Sequence, residues 1–348
     1  MLPEIRGFIL LQMNVLLADD DNAMRLYFTK YLTKKGFSVT PCSNGIEAWD
    51  AFQKDHYPLV LLDWNMPLMN GAELCERIKQ AQKDVYTYVI LITSRSDSDD
   101  IIEGLESGAD DYITKPVVAA ELSARLNSAL RVIEFEKKLQ EKEREVRLNC
   151  YKTLTQLAET RDNESEGHMF RIGEFCAMIA EELGFDKEYC EQLRIFAPMH
   201  DIGKVGIPDG ILHVPRELCS EEFQVVKMHT QIGWQILKNK SAFEMASIIA
   251  YTHHEHWDGT GYPRHLKGEE IPIEGRICAV ADCYDSLCSV RSFRSKVPHE
   301  QVIDWLKLSS GTLFDPQIVE ATLHVQNKMK ELFDKTYSLE VEASPKKR

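Results

Sequence analysis

The chain has 348 residues, of which 44% are hydrophobic and 28% are charged, so it is long enough for about two domains with buried cores. Its 41 basic residues against 55 acidic ones leave a net charge of −14. This balance argues against a nucleic acid polymer or an anionic membrane as a partner, because both bind basic surfaces. The nine cysteines contain no Cys-x-x-Cys pair and are predicted to be reduced thiols of a cytoplasmic protein.

Residues 1–12 are predicted to be an extension ahead of the first domain. The apolar stretch over residues 8–17 is too short to span a bilayer, and it runs directly into Asp19, Asp20 and Asp21. It also lacks the cleavage pattern of a signal peptide. The stretch therefore predicts a first buried strand and no membrane association.

Between residues 13 and 130, short apolar runs alternate with amphipathic segments. Three runs are continuous, as in strands buried on both faces of a parallel sheet: 15–18, 59–62 and 88–92. Polar residues follow each run, and sites in open parallel sheets lie beyond the carboxyl ends of strands. The pattern indicates a doubly wound α/β domain whose polar strand ends converge.

Residues 131–150 are rich in Glu, Lys and Arg and are predicted to form a charged connector helix. Val132, Leu139 and Val146 lie seven residues apart, as in the coiled coil of a homodimer. A second apolar stripe is weak, so a solvated helix is an equal alternative. Helical periodicity then predicts an all-α domain over 151–335, followed by a tail over 336–348.

The polar residues of the first domain suit the acceptance of a phosphoryl group. A lone carboxylate repels phosphate, but neighbouring carboxylates can hold Mg²⁺, which bridges to phosphoryl oxygens. Asp19, Asp20 and Asp63 supply carboxylates, and Lys115 supplies a neutralising charge. A single aspartate at a strand end is more often a helix cap, which is the role expected of Asp21.

The first domain resembles the receiver domain of two-component response regulators. The resemblance covers residues 13–130 and rests on segments 63–67 (Asp-Trp-Asn-Met-Pro), 108–112 (Gly-Ala-Asp-Asp-Tyr) and 115–116 (Lys-Pro). It implies a flavodoxin-like fold with five parallel strands and phosphorylation of Asp63 by a cognate sensor histidine kinase. It also implies Mg²⁺ ligands and switch residues: Asp19, Asp20 and Asn65 for the ion, and Thr93, Tyr112 and Lys115 for the switch.

Histidines are concentrated in the second domain. The adjacent pairs His200-Asp201 and His253-His254 are unusual, because two neighbouring imidazoles rarely share a packing role. Imidazole and carboxylate groups without a thiolate suit Mn²⁺, Fe or Zn²⁺. A carboxylate that bridges two ions would also suit in-line attack on phosphorus.

The second domain resembles the HD-GYP phosphodiesterases over about residues 150–335. The motifs that carry the resemblance are segment 200–209 (beginning His-Asp-Ile-Gly-Lys), segment 253–263 (ending Gly-Tyr-Pro), and segments 276–277, 282–285, 291–294 and 310–316. Members of this family hydrolyse cyclic di-GMP. The resemblance therefore implies cyclic di-GMP as the substrate, pGpG as the first product and GMP as a further product.

The same resemblance implies a set of site residues and cofactors. Two or three divalent metal ions, Fe or Mn, are expected. One ion would be held by His168, His200, Asp201 and Asp282, and the next by Asp201, His229, His253 and His254. His200, Asp201 and Lys204 would be catalytic, and Lys204, Arg291, Arg294 and Tyr262 would contact the substrate.

Glu164 is a candidate ligand of a third metal ion, as in a subgroup of the family. It lies four residues before His168, so a helical turn would place both side chains on one face. The alternative is a solvated glutamate near a helix start. Two other functions stay open: hydrolysis of another cyclic dinucleotide such as cyclic GMP-AMP, or non-catalytic binding of the nucleotide or of a partner protein.

Overall fold

The computed structural model describes residues 13–81, 86–94, 107–159, 166–214, 216–290 and 296–343. The chain forms two compact units, Met1–Glu145 and Val146–Arg348. One helix, Ala119–Glu159, contains the boundary between them. Across the described residues, no helix combines the length and the apolarity that crossing a membrane requires.

The N-terminal unit contains a parallel sheet with the strand order β2-β1-β3-β4-β5. The strands are β1 Asn14–Ala18, β2 Ser38–Cys42, β3 Leu59–Asp63, β4 Tyr88–Thr93 and β5 Asp111–Thr114. The described helices are α1 Asn22–Lys34, α2 Gly45–Lys54, α3 Gly71–Ala81 and the first part of α4, Ala119–Glu159. The predicted five-stranded, flavodoxin-like fold is confirmed.

The sheet is covered on both faces because its central strands are apolar on both. Every residue of β3 and β4 is buried, and alternate residues along them belong to two different hydrophobic clusters. The strand order reverses beside β1, where Ala18 pairs with Leu62. The residues that follow this pair, Asp19 and Asp63, are therefore brought to the same edge of the sheet.

The C-terminal unit consists of helices and connecting loops in its described part, which confirms the predicted all-α domain. After the end of α4, its helices are α5 Glu166–Glu182, α6 Lys187–Phe196, α7 Asp209–Leu212, α8 Ser220–Leu237, α9 Glu244–Thr252, α10 Ile273–Cys288, α11 His299–Leu308 and α12 Pro316–Ala343. The main core includes Phe175 of α5, Tyr284 of α10 and Met329 of α12.

Two helix boundaries differ from the predicted domain limits. The charged connector predicted at 131–150 is the middle of α4, because Leu122, Leu126 and Ile133 continue the helical spacing back into the first unit and are buried in its core. The helix α12 likewise continues to Ala343, past the predicted start of the tail at residue 336.

A glycine sets the distance between a 3₁₀ turn and α8 in the C-terminal unit. The turn is Ile202–Gly206, and a Cβ added at Gly203 would overlap the carbonyl oxygen of His229. Since His229 lies on α8 and the turn directly follows Asp201, this close approach places an aspartate beside a histidine of another helix.

We expect Gly203→Ala to destabilise the C-terminal unit by about 1–3 kcal/mol, the usual effect of forcing a methyl group into a packed contact. The measurement is urea denaturation of the full chain, followed by tryptophan fluorescence. Gly210→Ala is the matched control, because a Cβ at Gly210 meets nothing within 4 Å. Equal denaturation midpoints for the two variants would show that the close approach to His229 does not require a glycine at position 203.

Candidate functional site

The carboxyl ends of β1 and β3 form an acidic pocket in the N-terminal unit. Asp19, Asp20 and Asp63 each place a carboxylate oxygen within 4.8 Å of the others. Asp19 and Asp63 are buried. Lys115 Nζ lies 2.8 Å from Asp63 Oδ1 and 3.7 Å from Asp19 Oδ2. The structure thus brings the predicted carboxylates and the lysine together.

Burial disfavours negative charge in this pocket. Burial, followed by repulsion from Asp63, raises the pKa of Asp19 to about 6, against the opposing effect of Lys115. Burial also raises the pKa of Asp63. Keeping these carboxylates charged and close together is therefore unfavourable in the absence of a cation. Such a cluster of oxygen donors fits a hard divalent cation such as Mg²⁺.

The other predicted receiver residues lie around this edge of the sheet. Thr93 ends β4 and is buried, and Tyr112 is half-buried on β5. Asn65 is exposed in the loop after β3. Asp21 accepts hydrogen bonds from two backbone N–H groups in the first turn of α1, so its predicted role as a cap is confirmed.

A second cluster collects side chains from separate helices of the C-terminal unit. Its members are His168 on α5, His200 and Asp201 between two 3₁₀ turns, His229 on α8, His253 and His254 at the end of α9, and Asp282 on α10. Ligand atoms of Asp201, His229, His253 and His254 lie within 4.8 Å of one another, as do those of His168, His200 and Asp282. The predicted ligands that lie within the described residues are therefore brought together.

The carboxylate of Asp201 lies at the centre of this cluster. Its Oδ1 is 3.1 Å from His229 Nε2 and 3.6 Å from His253 Nε2. Its Oδ2 is 3.2 Å from His200 Nε2 and 2.8 Å from Lys204 Nζ. The two oxygens thus face different groups of histidines, which is the arrangement that a bridging ligand requires.

Hydrogen bonds at the opposite ring nitrogen orient these imidazoles. In His200, His229 and His253, Nδ1 donates to a carbonyl oxygen three or four residues earlier, at 2.7–3.0 Å. Because a carbonyl oxygen only accepts, Nδ1 carries a proton in each ring, which leaves Nε2 as the nitrogen that faces Asp201. All three Nε2 atoms lie within 3.6 Å of Asp201, in the orientation of metal-binding histidines.

His168 is oriented by a buried carboxylate, Asp285, for which the sequence predicted no role. His168 Nδ1 donates to Asp285 Oδ2 at 2.7 Å, and Arg171 donates to the same carboxylate at 2.5 and 3.1 Å. Burial acts to raise the pKa of Asp285, but these two donors outweigh it and lower the pKa. Asp282, whose Oδ1 is 4.0 Å from His168 Nε2, lies three residues earlier on α10. That helical spacing, together with the place of Asp285 in segment 282–285, could have pointed to this residue.

Neighbouring groups decide which members of the buried cluster are charged. Burial acts to raise the pKa of Asp201, but Lys204 and His200 hold it well below its ordinary value. Burial and the adjacent His253 lower the pKa of His254 well below its ordinary value. An ionised carboxylate and a neutral imidazole are the states in which these side chains bind a metal ion.

The predicted substrate residue Tyr262 lies on a loop that a buried glutamate fixes. The Tyr262 ring stacks on His254, with centroids 4.8 Å apart. Glu255 is 2% exposed and accepts hydrogen bonds from Arg264 N at 2.7 Å and Leu266 N at 3.0 Å. Glu255 directly follows the two histidines, and its carboxylate therefore holds the Gly-Tyr-Pro loop closed. Its place in the motif did not reveal this role.

Two further motif residues support the same loop. Arg276 donates to Asp315 at 2.6 Å, and its guanidinium carbon lies 5.7 Å from the centroid of the Trp257 ring. Trp257 N also donates to the carbonyl of Leu313. These contacts join segment 310–316 to the loop and give it a structural role.

Glu164, Arg291 and Arg294 lie outside the described residues. Their roles as a third-metal ligand and as substrate contacts stay predictions.

Comparison with known families matches both units. Residues 15–127 match the response regulator receiver domain, and residues 152–318 match the HD domain. These matches agree with the parallel sheet of the first unit and the helical second unit.

Three curated relatives show how far the similarity extends. A cyclic di-GMP phosphodiesterase of Thermotoga maritima is 36% identical over 344 residues, which cover 92% of this chain and 92% of that protein. The cyclic di-GMP phosphodiesterase response regulator RpfG of Xanthomonas campestris pv. campestris is 31% identical, over 92% of this chain and 90% of that protein. A 3′3′-cGAMP-specific phosphodiesterase 2 of Vibrio cholerae is 38% identical over 172 residues, which cover 49% of this chain and 33% of that protein. This chain therefore belongs to the cyclic di-GMP phosphodiesterase family of response regulators, in which a receiver domain precedes an HD-type phosphohydrolase domain.

Proposed function

We propose that this chain hydrolyses cyclic di-GMP to pGpG at a multi-metal site in its HD unit, and that phosphorylation of its receiver controls the reaction. The observation that carries the proposal is the position of Asp201, whose two carboxylate oxygens face separate groups of histidines. The names of the two relatives that match along nearly the whole chain support the substrate.

The residues of the cluster fit divalent transition metal ions. The donors are imidazoles and carboxylates without a thiolate, a set that suits Fe or Mn. Among the described residues, the buried atoms Asp201 Oδ1 and His200 Nε2 have no hydrogen bond of good geometry, as expected of atoms that face a metal ion. Two ligand sets follow: His168, His200, Asp201 and Asp282 for one ion, and Asp201, His229, His253 and His254 for the other. Glu164 is proposed as the ligand of a third ion.

The bound ions would polarise the phosphoryl oxygens and lower the pKa of a water molecule. Attack by water on phosphorus forms one P–O bond and breaks the bond to the 3′ oxygen, which leaves as a hydroxyl and opens the ring to pGpG. Lys204, whose ammonium lies 2.8 Å from Asp201 Oδ2, would neutralise negative charge that develops on the phosphoryl oxygens. A second hydrolysis would yield GMP.

One alternative substrate has specific support. A relative that matches about half of this chain is named as specific for 3′3′-cGAMP, so cyclic GMP-AMP is the second candidate. A non-catalytic nucleotide-binding function is less well supported, because it would not require the described ligand set to be complete. Chromatography of the products from each cyclic dinucleotide, with Mn²⁺ or anaerobic Fe²⁺, separates these possibilities.

The receiver pocket supports control by phosphorylation. Asp63 is the proposed acceptor of a phosphoryl group from a sensor histidine kinase, with Mg²⁺ held by Asp19, Asp20 and the Asn65 carbonyl. Lys115 already contacts Asp63 and would pair with the phosphoryl group instead. Thr93 and Tyr112 are the proposed switch residues.

We expect Asp201→Ala to abolish hydrolysis of cyclic di-GMP, because the side chain serves both ligand sets. Product chromatography measures the rate, and elemental analysis of the purified protein measures the metal content. Asp304→Ala is the control, since the Asp304 side chain is 72% exposed on α11. A folded Asp201→Ala protein that kept its metal and a near-normal rate would contradict the assignment.

Asp285→Asn should lower the affinity for one metal ion by about 10–100-fold, as loss of a supporting hydrogen-bond partner typically does. An asparagine cannot hold the proton of His168 on Nδ1 as the carboxylate does. Calorimetric titration of the metal-free protein would resolve the weakened ion from the unchanged one.

Arg171→Gln is the matched control for this variant. It removes a different partner of Asp285 but leaves the hydrogen bond to His168. It should lower the stability more than it lowers the metal affinity, because it leaves a buried carboxylate with one partner fewer. Equal metal affinities for Asp285→Asn and the wild type would refute the positioning role.

Beryllofluoride with Mg²⁺, which mimics a phosphorylated aspartate, is expected to change the phosphodiesterase rate or the oligomeric state. A phosphoryl mimic shifts an equilibrium only if it stabilises one state of the protein more than the other. The two states can differ in rate or in oligomeric state, so both quantities are measured. Rates are measured by chromatography and mass by sedimentation, with Asp63→Asn as the control. If neither the rate nor the mass of the wild type changes, the receiver does not control the HD unit.

A further inference from the structure

The surface beside the Gly-Tyr-Pro loop carries a group of side chains with no role in the proposed metal chemistry. Lys227 Nζ lies 4.9 Å from the centroid of the Phe223 ring and 4.9 Å from that of the Tyr262 ring. The two rings are 6.4 Å apart, with their planes at 79°. Phe223, Lys227 and Tyr262 are together called the aromatic clamp below.

The aromatic clamp is continuous with the ligand cluster. Phe223 and Lys227 lie four residues apart on α8, and therefore on one face of it, and α8 also carries His229. From the other side, the Tyr262 ring stacks on His254. A ligand that is anchored beside Asp201 and extends outward along Tyr262 therefore meets Lys227 and Phe223 next.

The exposure and charge of the aromatic clamp suit a planar heterocycle. The Phe223 side chain is 44% exposed, so one of the largest apolar groups of α8 remains accessible to solvent. Exposed aromatic rings beside a cation are common stacking surfaces for nucleobases. In a nucleotide, one ribose separates the phosphate from the base, so a phosphate at the metal site places its base a short distance outside that site.

We infer that the aromatic clamp is a guanine subsite, in which Phe223 stacks on the base and Lys227 donates to its O6 and N7 atoms. The inference rests on the proposed function and specifies the base that the site selects. A lysine ammonium has only donors, and the guanine edge offers two adjacent acceptors to it. Adenine presents an amino donor where guanine has O6, so adenine would lose one hydrogen bond and face a like dipole.

The stacking role is tested with Phe223→Ala and with Phe223→Leu, which keeps an apolar side chain of similar bulk. Both should raise KM for cyclic di-GMP roughly tenfold with little change in kcat, because stacking on an aromatic ring is lost. The same loss should be absent for methyl p-nitrophenyl phosphate, a phosphodiester without a base. Phe185→Ala is the control, since Phe185 is 37% exposed and stacks on Tyr189 instead.

The specificity role is tested with Lys227→Met and Lys227→Arg. Lys227→Met should reduce the preference for cyclic di-GMP over cyclic di-AMP by roughly tenfold, whereas Lys227→Arg should preserve it, because arginine also donates to O6 and N7. Anisotropy of fluorescein-labelled phosphorothioate cyclic di-GMP, an analogue that resists hydrolysis, gives the affinity of the metal-loaded protein without turnover.

Two results would overturn the guanine subsite. One is an unchanged affinity for labelled cyclic di-GMP in both Phe223 variants, and the other is an equal loss on methyl p-nitrophenyl phosphate. The binding measurement decides the subsite even if the wild type hydrolyses no cyclic dinucleotide, a result that would remove the proposed function alone.

Discussion

The arrangement of the HD unit depends on one buried carboxylate. Asp201 is 7% exposed, and its oxygens lie within 3.6 Å of imidazoles from three separate segments of the chain. A buried negative charge is tolerated only where positive or polar partners surround it, so the helices that supply those partners must meet at this point. The glycine contact between the Ile202–Gly206 turn and α8 gives the backbone the close approach that this meeting requires.

In both units, side chains that can bind a metal ion are clustered, but the types of side chain differ. In the receiver, carboxylates cluster at the edge of a rigid sheet, where the reversal of strand order brings two strand ends together. In the HD unit, helix ends and turns bring imidazoles to one carboxylate. Oxygen donors alone suit a hard cation, while mixed nitrogen and oxygen donors suit a transition metal, so the composition of each cluster matches a different kind of ion.

Much of this organisation could be predicted from the sequence. Continuous apolar runs that end in Asp19, Asp63 and Thr93 identify a buried parallel sheet, and the adjacent pair His253-His254 indicates metal ligands, because two neighbouring imidazoles rarely pack together for structural reasons alone. Asp285 and Glu255 lie within motifs, but their roles depend on tertiary contacts, such as the bond from His168, that sequence spacing does not encode. The connector helix predicted over 131–150 is shorter than α4, because the apolar first part of α4 and its charged middle differ in composition.

The closure of the Gly-Tyr-Pro loop by Glu255 has a consequence for how the loop can vary. Surface loops generally tolerate added residues at little cost in free energy. Here both bonds of Glu255 end at fixed backbone positions nine and eleven residues later. Tyr262 lies inside that span, and its N donates to the carbonyl of His254, the residue before Glu255. An added residue would break this register and detach the Tyr262 ring from His254, so the segment should accept changes of side chain much more readily than changes of length.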